Sequence, residues 1–195
     1  MQIWGAMTEK ATIFISCGIF HEELKYLAQE GLFGENIMFL DAALHVNFDK
    51  LKTQLEHALD QATETGAELR VLYGHCHPDM IEILERYGAK RLAAGNCLEA
   101  MVGPEEVIRL NAEATSFFLS VGWVNNWEKM FEMGREDFDF DVKSMFEHYK
   151  RIMVFDTGII PLDEEKIRKF SAFTGLPIER KAITLDYFLG LIKGI

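Results

Sequence analysis

The 195 residues carry 31 Asp and Glu against 20 Lys and Arg, a net charge of −11 with histidine neutral, and 49% of them are hydrophobic. Without clustered Lys and Arg to meet phosphates, a nucleic-acid partner is excluded, and with so much apolar content a disordered chain is excluded too. No uncharged apolar run reaches the roughly 18–20 residues of a membrane span, so no membrane insertion is expected.

The opening segment, MQIWGAMTEK, has no basic region followed by a long apolar core. No secretory signal is therefore expected, and the cysteines are expected in a reducing cytoplasm. Residues 1–11 read as an N-terminal arm, with Met7 as an alternative functional start. From there, short runs rich in β-branched and aromatic residues predict strands at 12–17, 37–41, 69–73, 90–94, 115–121, 152–156 and 178–184. Near-continuous apolarity in several of them suits strands covered on both faces. Between them lie helical stripes: Phe20, Leu24, Leu27 and Ala28, then Leu51, Leu55, Ala58, Leu59 and Ala62, then Met80, Ile81, Leu84 and Tyr87. Gly66 and Gly88 stand where helix C-terminal caps fall. Strand and helix alternate, which predicts a single α/β domain over 1–195, three-layered, with Rossmann-like βαβ units and a mostly parallel sheet. The stretch 122–150 reads as a helical insertion. Its Trp123, Trp127, Met130 and Phe131 form core or a contact between copies of the chain, and Glu136, Asp137, Asp139 and Asp141, with Phe138 and Phe140 among them, form a solvated face.

One pattern stands above this background. The chain has three cysteines, Cys17, Cys76 and Cys97, and each falls where an apolar strand gives way to a helix. The turns read ISCGIFHEEL, VLYGHCHPDM and LAAGNCLEAM. An odd count cannot form a closed disulfide framework. In a parallel sheet all strand C-termini lie on one edge, where ligands bind, so the three thiols are expected to converge there. Gly18, Gly74 and Gly95 beside them permit close backbone approach to a cofactor, and the helix starts are expected to lower the thiol pKa values. Three soft thiolates suit an iron–sulfur cluster, zinc or Cu(I). A [4Fe–4S] cluster normally takes four cysteines, so three leave one iron open to a small molecule. Zinc needs a fourth ligand, for which His21, His75 and His77 are the nearby candidates.

At these turns the sequence resembles the domain-of-unknown-function family 1638. Cys17-Gly18, then Tyr73-Gly74-x-Cys76, then Gly95-x-Cys97 with its short helix, then a Trp-containing helical stretch and a strand ending in Asp156-Thr157-Gly158 follow that family's order from about Thr12 onward. The resemblance implies recurring cysteines at Cys17, Cys76 and Cys97, with His75 and His77 beside them. It also implies an anaerobic setting near corrinoid-dependent methyl transfer, which favours an oxygen-sensitive cluster over zinc. The implied partner is a corrinoid or methyltransferase protein, or a methylated-amine or betaine-like small molecule.

The remaining candidates are weaker. Asp156 and Asp41 end strands and either line the same crevice or serve as turn and cap residues. A lone Asp-Thr-Gly in an α/β chain does not make an aspartic protease. Neither nucleotide cradle nor nucleophile elbow is present. Asn125 and Asn126, flanked by tryptophans, either close over a ligand or start a helix. His45, His57 and His148 read as surface residues. Three functions follow in order of preference. The first is a protein binding a [4Fe–4S] cluster through Cys17, Cys76 and Cys97 and acting in one-carbon metabolism. The second is a non-catalytic module for a small molecule or corrinoid protein, with zinc or no metal. The third is an enzyme with a cysteine nucleophile at Cys76, using His21, His75 or His77 as base.

Overall fold

The computed structural model describes residues 11–34, 36–137 and 141–195, without the side chains at 136, 137, 142 and 143. Residues 1–10 of the expected arm, residues 138–140 of the expected solvated face and the side chains of Glu136 and Asp137 lie outside what is described.

All seven expected strands are present, but they divide into two sheets rather than one. The first joins β1 (Thr12–Cys17), β2 (Ile37–Leu40), β3 (Glu68–Leu72) and β4 (Lys90–Arg91) in the order β2-β1-β3-β4, every pair parallel. The second joins β5 (Ser116–Leu119), β6 (Arg151–Asp156) and β7 (Ile178–Ala182), again all parallel, with β6 central. Consecutive residues are buried along the central strands, Phe14 to Cys17 in β1 and Arg151 to Phe155 in β6. Successive side chains point to opposite faces, so both sheets are covered on both sides. Layered α/β architecture with parallel βαβ units is thus what the alternating sequence pattern produces.

The first two predicted helices take their expected faces, whereas in the third the expected Ile81 is exposed and Ile83 is buried with Met80 and Leu84. In α1 (His21–Gln29), Leu24 and Leu27 are buried. In α2 (Phe48–Thr63), the whole stripe Leu51, Leu55, Ala58, Leu59 and Ala62 is buried against β1, β2 and β3. Each such leucine contributes about 1.5–3 kcal/mol by leaving water. Asn47 starts α2 by accepting from the Lys50 amide at 2.9 Å. Gly66 and Gly88 both take positive φ, 72° and 61°, as C-terminal caps before β3 and β4 require. Between β3 and β4 lies α3 (Met80–Arg86), and after β4 come α4 (Cys97–Val102) and α5 (Pro104–Glu113).

The expected helical stretch lies between two strands, β5 and β6. Its helices, α6 (Val121–Asp137) and α7 (Val142–Phe146), are the connection from β5 to β6 that parallel pairing demands. Their aromatic stripe is core: Trp127 packs on Phe170 and Phe173 of α8 (Glu164–Thr174), with ring centroids 5.2 and 5.4 Å apart. The start of α6 also touches the first half. Gly122 lies so close to it that a Cβ there would stand 1.8 Å from the Ile19 carbonyl oxygen. The last helix, α9 (Asp186–Lys193), returns from the second sheet to pack on α4, and Phe188 and Ile192 join the first core, Phe188 stacking on Phe20 at 4.7 Å.

Candidate metal centre

Parallel pairing puts the C-terminal ends of β1, β3 and β4 on one edge, and the three cysteines gather there. Cys17 is the last residue of β1, Cys76 sits in the turn between β3 and α3, and Cys97 is the first residue of α4. The charge that Cys17 would carry is opposed by both Cys97 and Cys76, and that of Cys97 by Cys76. Residues up to 80 positions apart in sequence are thereby electrostatic neighbours.

Local chemistry explains how the turns are held. The His75 amide donates to the Gly95 carbonyl at 2.8 Å, joining the Cys76 turn to the Cys97 turn. Gly74 faces the same carbonyl so closely that a Cβ would lie 2.5 Å from it. Gly95 donates its amide to Glu99 Oε2 at 2.9 Å, and Asn96 caps α4 by accepting from the amides of Leu98 and Glu99. Gly18 lies under β2, where a Cβ would stand 2.8 Å from the Leu40 carbonyl oxygen. Arg91 ties the turns from outside, donating to His75 Nε2 at 2.6 Å and to the carbonyls of Leu92 and Ala94.

Two further groups address the sulfurs. Trp123 Nε1 of α6 donates to Cys97 Sγ at 3.4 Å. The Tyr73 hydroxyl, directly after β3, is buried beside Cys17 and Cys76 and helps to hold the Cys17 thiol down, yet it has no hydrogen bond of good geometry. An unpartnered hydroxyl in such a place costs about 1–3 kcal/mol unless a ligand meets it.

The thiols are not activated in the way the helix starts suggested. Burial pushes Cys17 well above the ordinary thiol range, raises Cys76, and pushes Cys97 up to about 12, despite the Trp123 bond and, at Cys76, the Arg91 charge. Desolvation of three mutually repelling thiolates outweighs the few amide dipoles of short turns. Burial thus favours the protonated thiols, and any metal held there would have to displace their protons.

The expected histidines have other work. His75 uses Nε2 with Arg91. His77 is buried, its Nδ1 accepts from the Asp79 amide at 2.9 Å, and its ring meets Phe48 edge-on. His21 is half exposed, bonded through Nδ1 to Glu22 and edge-on to Phe39. Asp156 lies in the second sheet at the end of β6, where it accepts from the Gly158 amide and faces Arg180. Asp41 caps the turn after β2 through the Ala43 amide and pairs with Lys129 of α6. His45 corrects an expectation. Rather than a surface residue it is largely enclosed, with Nδ1 on the Ala42 carbonyl at 2.7 Å and its ring on Trp123 at 5.5 Å, and burial lowers its pKa. Its contact with Trp123 is made across 78 residues, beyond the reach of any local pattern.

Among the described residues, no three His, Cys, Asp or Glu side chains converge tightly enough to hold a single metal ion. No described helix is long and apolar enough to cross a membrane. A family described as Protein of unknown function (DUF1638) matches residues 39–192, which takes in the turns of Cys76 and Cys97 and leaves that of Cys17 outside. No curated protein and no solved structure matches the chain.

Proposed function

The chain belongs to the DUF1638 family of proteins of unknown function, and we propose that it binds a [4Fe–4S] cluster through Cys17, Cys76 and Cys97, with one iron carrying no protein thiolate. The carrying observation is the gathering of all three thiols on one sheet edge beside the buried Tyr73 hydroxyl. A cluster is preferred to zinc because it asks less convergence of the three sulfurs. A tetrahedral zinc ion with bonds of about 2.3 Å draws its sulfurs to roughly 3.8 Å of one another, whereas a cubane takes each thiolate on a separate iron. A cysteine nucleophile is supported less well, since it needs a depressed pKa and a nearby base. Here burial raises all three thiols, and the side chains that address the sulfurs are the Trp123 indole and the Tyr73 hydroxyl rather than a histidine.

The bound cluster would supply an open, Lewis-acidic and redox-active iron. The protein holds the thiolates, excludes water by burial, and draws charge from Cys97 through the Trp123 N–H. Tyr73 offers a proton donor to a sulfur or to whatever occupies the open position.

Purification without oxygen, followed by reconstitution with ferrous iron and sulfide, should give a brown protein with roughly four irons and four sulfides per chain. Serine at any one of positions 17, 76 or 97 should change the visible spectrum. A colourless protein with neither iron nor sulfide after reconstitution, or one holding stoichiometric zinc in preference to iron, would overturn the reading. A single essential cysteine with the others silent would point to the nucleophile instead. Trp123→Phe should keep the cluster and lower its reduction potential, because loss of an N–H···S bond leaves more charge on the sulfur. Redox titration of the reconstituted variant reads this directly.

A further inference from the structure

Beside the Cys17 turn lies a cavity of about 360 Å³ whose lining is chemically mixed. Gly18, His21 and Glu22 form one side, the end of β2 from Phe39 to Ala42 a second, and Gly122, Asn125, Asn126 and Lys129 of α6 the third. It opens at the strand ends, where parallel sheets take their ligands. Two of its walls meet backbone to backbone at Gly122 and Ile19, and two at Gly18 and Leu40, so the cleft is set by the fold rather than by side chains alone.

Its charges are specific. The cation Lys129 faces the carboxylate Asp41, and Glu22 adds a second carboxylate held by His21. Asp41 keeps one oxygen on the Ala43 amide, so its other oxygen, on Lys129, is the exchangeable one. Asn126 spends its amide N–H on the Gly122 carbonyl and keeps its carbonyl oxygen. Lys129 and Asp41 are both substantially exposed, and such a pair contributes only about 0–1 kcal/mol, so a ligand can open it at little cost. A ligand of one charge would satisfy one partner and strand the other. A ligand bearing both signs replaces the pair with two charge-assisted contacts.

We propose that this cleft binds a small zwitterion of the α-amino-acid type, its carboxylate on Lys129 and its ammonium on Asp41 and Glu22. Phe39, with the His21 ring at 4.8 Å, supplies an apolar wall for a side chain. The proposal holds whether or not the thiols carry a cluster. The two places are nonetheless linked, since Gly18 follows Cys17 and the Asp41 charge reaches the Tyr73 hydroxyl.

Calorimetric titration of the full chain with the common amino acids tests it, with glycinamide and N-acetylglycine as single-charge controls. At least one amino acid should bind on the order of tenfold more tightly than its single-charge analogues. Lys129→Gln and Asp41→Asn should each weaken it by about the same factor, the loss of one charge-assisted contact. Asparagine at 41 retains the cap acceptor, and Lys169→Gln, outside the cleft, should bind as the parent does. Shifts of the Asn125 and Asn126 side-chain amide resonances on titrating the parent protein report occupancy without any variant. No binding by any amino acid, equal binding of the amide or acetyl analogues, or undiminished binding by both variants would overturn the proposal.

Discussion

Alanine at Gly122 should cost the protein at least about 3 kcal/mol, a large part of the 5–15 kcal/mol that holds a domain of this size. The reason is local. A Cβ there would lie 1.8 Å from the Ile19 carbonyl oxygen and 2.6 Å from its carbon, both backbone atoms. A flexible side chain could swing away, but the turn after β1 cannot move without dragging Cys17. Either α6 withdraws from the first sheet or the turn buckles. A matched control lies in α9, where a Cβ on Gly190 would meet nothing within 4 Å. There alanine should stabilise by about 0.5–1 kcal/mol, because glycine is a poor helix former. Urea unfolding of both variants measures the contrast. A Gly122→Ala protein within about 1 kcal/mol of the parent would refute this account of the junction. The same variant should also weaken the Trp123 contact with Cys97, since both depend on where α6 begins.

Glu23 should make the protein lose stability as pH rises from about 4.5 to about 7. It lies fully buried in α1, and neither carboxylate oxygen has a hydrogen-bond partner among the described residues. Burial raises its pKa from 4.5 to about 7, with the neighbouring Glu22 adding a little. A raised carboxyl pKa means that the fold favours the neutral form. The associated stability is full below pH 4.5, where the unfolded chain is also protonated, is lost progressively as pH climbs from there to about 7, and levels off once both states are ionised. A shift of that size corresponds to about 3 kcal/mol, less whatever local relaxation recovers. Glu23→Gln removes the ionisation. It should gain roughly 2–3 kcal/mol over the parent above pH 8 and nothing near pH 4.5. Equal pH profiles of unfolding for the two proteins would show that Glu23 finds a partner or reaches water.

How much of this was legible in the sequence depends on the distance over which each feature is decided. The strands were readable because runs such as TIFIS and IMVF pack on both faces wherever they sit. The stripe from Leu51 to Ala62 was readable because a 3.6-residue period is a property of one helix. Gly66 and Gly88 were readable as caps from the residues beside them. The division into two sheets was not, since no local pattern says that β5 pairs with β6 and leaves β4, which holds only two residues in register with β3. For the same reason no local pattern marks α6 and α7 as the crossover between β5 and β6. The three cysteine turns were recognisable by their likeness to one another. Their surroundings were not: Trp123, His45 and Tyr73 reach the site through contacts that only the folded chain makes. The sign of the thiol shift was also misread, because a turn motif displays its dipoles but not its burial.

The return of α9 to the first core has a consequence for how the chain comes to be made. Phe188 and Ile192 complete a core whose other members are mostly supplied before Met101, so roughly 95 residues separate β4 from the helix that closes its half. At translation rates of about 5–20 residues per second, that interval lasts on the order of 5 to 20 seconds. Throughout it the nascent first half carries Phe20 without the ring that will stack on it, and an apolar seam faces the ribosome's surroundings. Anything that protects this seam, or any pause in synthesis before α9, should act on the yield of folded protein rather than on its final stability.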